Sequence, residues 1–342
     1  MACVTINTRE PVTLLGCTLA GPGHLIVAGQ GADLTVRNCR GYGLPPTDPT
    51  RSRGHFLDAY RATRLVVEHN YLEHTTGIII NRWSGSGQNG QTITVRYNQG
   101  LDCDGRVAGD QQADTERHSF VQLNTVAGLP GVEISYNQFI NEPNLSAVED
   151  NINLYNSSGT PASPLLVHDN YVQGAYPFPA TGRTFTGSGM TTDGDGSSQT
   201  AAYIQAYGNQ FISTCNAAMN IAAGHDIHYH DNRMVTSALL PDGTRLNATY
   251  AATAIFNYYQ LPGALFGNNS VEHNVIGFVK WGYNVPFPNR HDLSTGACPT
   301  CTGNESLPNP ITRQSEQDEW VRWQQKTRQL TIGPEDEKHK AH

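Results

Sequence analysis

Lysine is almost missing from this chain. It occurs only at positions 280, 326, 338 and 340, charged residues make up 15% of the 342 residues, and the net charge is −8. A nucleic-acid backbone or an anionic membrane surface is gripped by a basic footprint, so neither is expected as the main partner. No apolar run approaches the roughly 20 residues of a membrane span. The start MACVTINTREP also lacks a basic region followed by an apolar one. We therefore expect a soluble polypeptide whose export signal is absent or already removed. Seven cysteines cannot all pair within one chain.

Turn formers and short polar residues are what the chain has instead. Gly 34 and Pro 19, with plentiful Asn, Ser and Thr, fit an all-β protein with many turns. The letters VEHN at 67–70 return at 271–274, with near-copies VRYN at 95–98, VHDN at 167–170 and YHDN at 229–232. Aligned on the last letter, these segments give Cys17, Cys39, Asn70, Asn98, Asn137, Asn170, Asn209, Asn232 and Asn274. Apolar residues stand three before and two after most of them, with the strand period of two nearby.

The spacing runs irregularly from 22 to 42 residues, so the strands are constant and the loops vary. In a parallel β-helix each turn stacks on the last at about 4.8 Å, and equivalent asparagines can hydrogen-bond in a buried ladder. About nine rungs are expected. Long Gly/Pro/Ser-rich insertions interrupt them, the kind of loop that builds a binding face on a solenoid. After residue 311 the run ITRQSEQDEWVRWQQKTRQL reads as an amphipathic helix capped by Thr312 or Ser315, with Trp320 and Trp323 three apart. We expect a β-helix over residues 1–311, and over 312–342 a helix covering the open end of the coil, followed by a disordered tail.

These V-x-x-N-x-Φ repeats, from about residue 11 to 282, resemble the right-handed parallel β-helix superfamily, the pectate-lyase-like fold. The resemblance implies a carbohydrate-active, secreted or periplasmic protein. It leaves lyase, hydrolase, epimerase and tailspike activities open, and function is argued from the site.

If Ile152 and Leu154 point inward, Asn151, Asn153 and Tyr155 point outward. The same parity exposes Asp58, Tyr60, Asn81, Gln122, Asn124, Thr191, Asp193, Asn220 and Asn257. Such a stripe suits the hydroxyls of a linear polysaccharide. The densest carboxylates are Glu149 and Asp150, with Asp193 and Asp195 one rung later. Neighbouring rungs place such groups roughly 5 to 10 Å apart, as glycoside hydrolysis requires, and crowding raises the pKa of one of them. His225 follows in AAGHD. The arrangement resembles the acidic pair and Gly-His element of polygalacturonase-type hydrolases, whose Asn-Thr-Asp and Arg-x-Lys elements are not recognisable here.

Hydrolysis by these acids, assisted by His225 or His118 and requiring no cofactor, is the leading expectation. Uronide β-elimination is the alternative, with Arg117 as charge neutraliser, His118 as base, and Arg82, Arg183 and Tyr155 in support. In that reading Asp193 and Asp195 hold calcium; otherwise they shape a turn. A non-catalytic glycan-binding or structural coil is the third reading. Cys298-Pro-Thr-Cys301 is a lone C-x-x-C, open to a local disulfide, free thiols or zinc. Asn144, Asn156, Asn247, Asn268 and Asn304 head N-x-S/T sequons. Oligomeric state stays open; no heptad stalk is present.

Overall fold

A residue in the left-handed region stands immediately before each ladder asparagine: His69, Tyr97, Tyr136, Asp169, Asp231 and His273 have φ between 51° and 57°. Asn, Asp, His and Gly tolerate this region best, and Gly208 fills the equivalent place before Asn209. The turn bends the chain from one sheet into the next, and the following side chain points inward. Each buried asparagine then donates to the next: Asn70 Nδ2 to Asn98 Oδ1, Asn98 to Asn137, Asn137 to Asn170, Asn170 to Asn209 and Asn209 to Asn232, all at 2.9 Å. The ladder continues through Asn274 to Asn304, whose sequon amide is thereby engaged inside the fold.

Between these turns the chain winds into a right-handed parallel β-helix with one sheet of nine strands and two of eleven. The computed structural model describes residues 2–107, 118–184, 187–196, 200–281, 289–293 and 300–335. Arg117, Cys298 and residues 336–342 of the tail lie outside them. Cys301 is disulfide-bonded, whereas Cys3, Cys17, Cys39 and Cys103 are free. The interior is a continuous apolar column in which Phe120 and Phe139 stack at 4.6 Å. Gly100 is required beside them, since a Cβ there would stand 2.5 Å from the Phe120 ring.

The helix forms over Arg313–Thr327, with Thr312 as N-cap and Ser315 completing a capping box. It does not cover the end of the coil. It lies on the flank, against the outer face of one eleven-stranded sheet, where Trp320 and Trp323 pack on Tyr171. There Arg233 grips Glu319 through two 2.7 Å bonds, and Gln210 Nε2 donates to the Glu319 carbonyl at 2.8 Å. Those outward polar partners hold the helix to the flank. The segment after it is also ordered as far as Glu335, which bonds Arg37 at 3.1 Å and Asn38 at 3.4 Å. No described helix is long and apolar enough to cross a membrane.

Candidate active site

The nine-stranded sheet carries most of the candidate residues, and its register sorts them into three rows along the coil axis. One row is Tyr60, Asn81, Asn124, Tyr155 and Asp193, matched strand to strand. A second, two residues earlier, is Asp58, Ile79, Gln122, Asn153, Thr191 and Asn220. Both rows point away from the apolar interior, whose side chains come from alternate positions such as Ile80, Leu123 and Leu154.

The third row breaks the alternation. At the corner where each rung enters this sheet, two consecutive side chains turn inward: Leu25 and Ile26, Phe56 and Leu57, Phe120 and Val121. Asn151 and Ile152 occupy the same place, so Asn151 is interior rather than outward. It is fully buried, and its amide donates to the Gly174 and Ser188 carbonyls while accepting from Asn141. Strict alternation would have put Asp150 inside; the corner turns it outward instead. Two residues before each register-matched apolar position the row reads His24, His55, Thr76, Ser119, Asp150 and Ser188.

Asp150 is the centre of this surface. Its Oδ1 accepts from Thr191 Oγ1 and its Oδ2 from Asn153 Nδ2, both at 2.8 Å. Only 6% of the residue is exposed. Burial raises the carboxyl above its ordinary range, and the charge of Asp193 adds to the rise against the hydrogen bonds that oppose it. Asp193 Oδ1 accepts from the Gly194 N–H at 2.8 Å and from the Tyr259 hydroxyl at 2.9 Å. The exposed Asp195 and Asp193 both face the Tyr155 hydroxyl, which burial first and then their charges hold above its ordinary value. Glu149 is half-buried and tied through its backbone to His118 and Ser188.

At the other end of the surface three imidazoles come together. The His24 and His55 rings stack at 5.1 Å, and His118 meets His55 edge-on at 5.3 Å. The His55 backbone N–H donates to His24 Nδ1 at 3.1 Å, which leaves the His24 proton on Nε2, 3.8 Å from Asp58 Oδ2. His55 Nδ1 donates to the Thr76 carbonyl at 3.0 Å, and burial pushes its pKa down to about 3. Ser52 Oγ stands 3.4 Å from His118 Nε2. Burial raises the Asp58 carboxyl, with the charge of His24 opposing. Sequence reading missed His24 and His55. Their shared signal was a histidine two positions before each register-matched apolar residue.

Other expectations fall elsewhere. His225 belongs to a different sheet, paired with Ala202, and its Nδ1 donates to Asp226 at 2.6 Å, so it does not face Asp150. Asn257 spends its amide within its own loop, donating to the Leu261 carbonyl and accepting from the Leu261 N–H, each at 2.8 Å. Arg82 and Arg183 are exposed at the margins, Arg82 just past its strand with φ of 55°. Among the described residues, no group of three or more His, Cys, Asp or Glu side chains converges as metal ligands. Comparison with protein-family models, with curated proteins and with solved structures finds no match to this chain.

Proposed function

We propose that this protein is a carbohydrate-active β-helix enzyme of the pectate-lyase-like kind that hydrolyses the glycosidic bonds of a polysaccharide. The observation that carries this reading is the placement of Asp150 and Asp193 on one outward face of adjacent strands. Asp150, whose carboxyl burial raises above the ordinary range, gives its proton to the leaving glycosidic oxygen; Asp193 takes a proton from the attacking water. Thr191 links the two, and the two-residue step from Thr191 to Asp193 spans about 6.6 Å. The rows of amides and hydroxyls on either side provide hydrogen bonds for the sugar chain.

No cofactor enters this hydrolysis. A second reading, elimination from a uronide with calcium at Asp193 and Asp195, is favoured by the three imidazoles, since neutral His55 and its neighbours supply candidate bases. The Cys301 disulfide supports an oxidising, secreted or periplasmic setting. The test is reducing-end release from neutral and acidic polysaccharides by the native protein, Asp150→Asn and Asp193→Asn. Release lost in both variants supports hydrolysis. Absorbance of an unsaturated uronate product shows elimination instead, and binding without turnover shows a non-catalytic coil.

A further inference from the structure

We infer that Phe256 and Tyr258 form a stacking platform for a pyranose ring beside Asp193, and that the substrate is a neutral polysaccharide whose sugars present an apolar C–H face. This deepens the glycan reading above and rests on it.

Phe256 and Tyr258 are 56% and 65% exposed, the highest values among the exposed large apolar side chains of the described residues. A single exposed ring needs no explanation, but these two form a patch. Their centroids are 6.3 Å apart at 67°, and Tyr259 meets Tyr258 at 5.0 Å and 80°. Edge-to-face packing leaves ring faces open, and an aromatic face is the surface on which the C–H side of a sugar ring packs. None of the three side chains carries charge at neutral pH.

The patch joins the candidate site directly. Tyr259 reaches back from the loop after strand Ala251–Ile255 to Asp193 on strand Ser188–Asp193, crossing the rung of Ala217–Ile221. Two rungs amount to about 10 Å along the axis, a few sugar units from the acids. The loop is also held in shape. The Phe256 N–H donates to the Ile221 carbonyl at 2.8 Å, the Tyr258 N–H donates to Ala222 at 3.1 Å, and Asn257 clamps the turn to Leu261. Platforms fixed before binding lose little entropy on contact. A protein partner is a poorer fit: two rings of roughly 150–250 Å² each fall short of the ~800 Å² a stable interface needs per partner.

The experiment is affinity electrophoresis in gels cast with hydroxyethylcellulose or with polygalacturonate. The parent is the hydrolysis-blocked Asp150→Asn protein. It should be retarded by hydroxyethylcellulose, and Phe256→Ala with Tyr258→Ala should weaken the apparent affinity at least tenfold, while Tyr258→Phe should retain it. Circular dichroism checks that each variant is folded. Equal retardation of the double variant and its parent overturns the platform and leaves the glycan reading standing. Retardation by polygalacturonate alone overturns the neutral-substrate class, and no retardation in either gel overturns the whole inference. A sedimenting dimer that the double variant dissociates overturns it in favour of a second copy of the chain.

Discussion

Thr191 Oγ1 donates a 2.8 Å hydrogen bond to Asp150 Oδ1 from the neighbouring strand, and Asp193 follows Thr191 by two residues on the same face. One hydroxyl therefore fixes the geometry between the proposed acid and its partner. We predict that Thr191→Val lowers turnover about tenfold with little change in KM, because misplaced groups cost rate rather than binding. Thr191→Ser should restore it. Identical turnover in the valine variant and the native protein would show that this bond positions nothing.

The ladder carries the fold, and its middle rungs are the costliest to lose. Asn137 Nδ2 donates to the Val95 carbonyl and to Asn170, while its Oδ1 accepts from the Asn98 N–H and amide. Asn137→Ala strands these partners in the dry interior, a predicted loss on the order of 4 kcal/mol. Asn304 ends the run and is only partly buried, so Asn304→Ala should cost clearly less. Denaturant midpoints of the two variants decide it; equal shifts would remove the buried-ladder account.

The ladder was legible because stacking turns equivalent positions into identical letters, so Asn70 and Asn274 announce each other across the chain. The rows of Asp58, Gln122 and Asn153 followed from alternation for the same reason. Alternation failed at Asn151, where the corner turns two side chains inward. The paired apolar letters Leu25-Ile26, Phe56-Leu57 and Phe120-Val121 were the only trace of that corner. His24 and His55 become neighbours only once register is known, since His24 lies one rung from His55 but 31 residues away in sequence. The flank chosen by the helix depended on Gln210 and Arg233, whose outward direction carries no sequence mark. Asn257 looked like a ligand-facing amide because nothing in the letters shows that Leu261 would take both of its bonds.

His168 makes stability depend on pH. Burial alone would lower its pKa, but hydrogen bonds to Asp169 and Glu133 outweigh it and raise the value to about 9. Lys326 also pairs with Asp169, and Arg96 faces Glu133. A histidine whose folded pKa exceeds its unfolded 6.5 stabilises fully below pH 6.5, and the contribution fades as pH rises through about 9. The thermal midpoint should therefore fall between those pH values in the native protein, and fall less in His168→Gln. A parallel decline in both proteins would assign it to other groups.

Glu316 shows the converse case of a buried acid. Burial pushes its carboxyl up to about 7 against the Ser237 N–H, which donates at 2.7 Å, and the nearby Arg313. The folded state then holds a proton that the unfolded chain releases near 4.5, so helix docking is strongest at acid pH and weakens as pH rises through about 7. Glu316→Gln keeps an acceptor for Ser237 without the buried charge. It should make the docked helix more stable at pH 8 and indifferent to pH between 4.5 and 7. Fluorescence of Trp320 and Trp323 during denaturation reads this; unchanged pH dependence in the glutamine variant would refute it.

Asp150 sets stability against activity. Its raised carboxyl means that the folded protein gains most from this group below the unfolded aspartate value and loses that gain as pH rises through the folded one. Asp150→Asn removes the buried charge while preserving the contacts: the new amide oxygen accepts from Asn153, and Thr191 reverses its hydroxyl to accept from the new N–H. The variant should therefore be at least as stable as the native protein at neutral pH. Its glycan cleavage should fall by about a hundredfold or more, the scale of losing a general acid. Thermal midpoints and reducing-end assays on one preparation test both halves together. A stable variant with full turnover would leave Asp150 a buried structural acid and return the search for the proton donor to the imidazoles around His55.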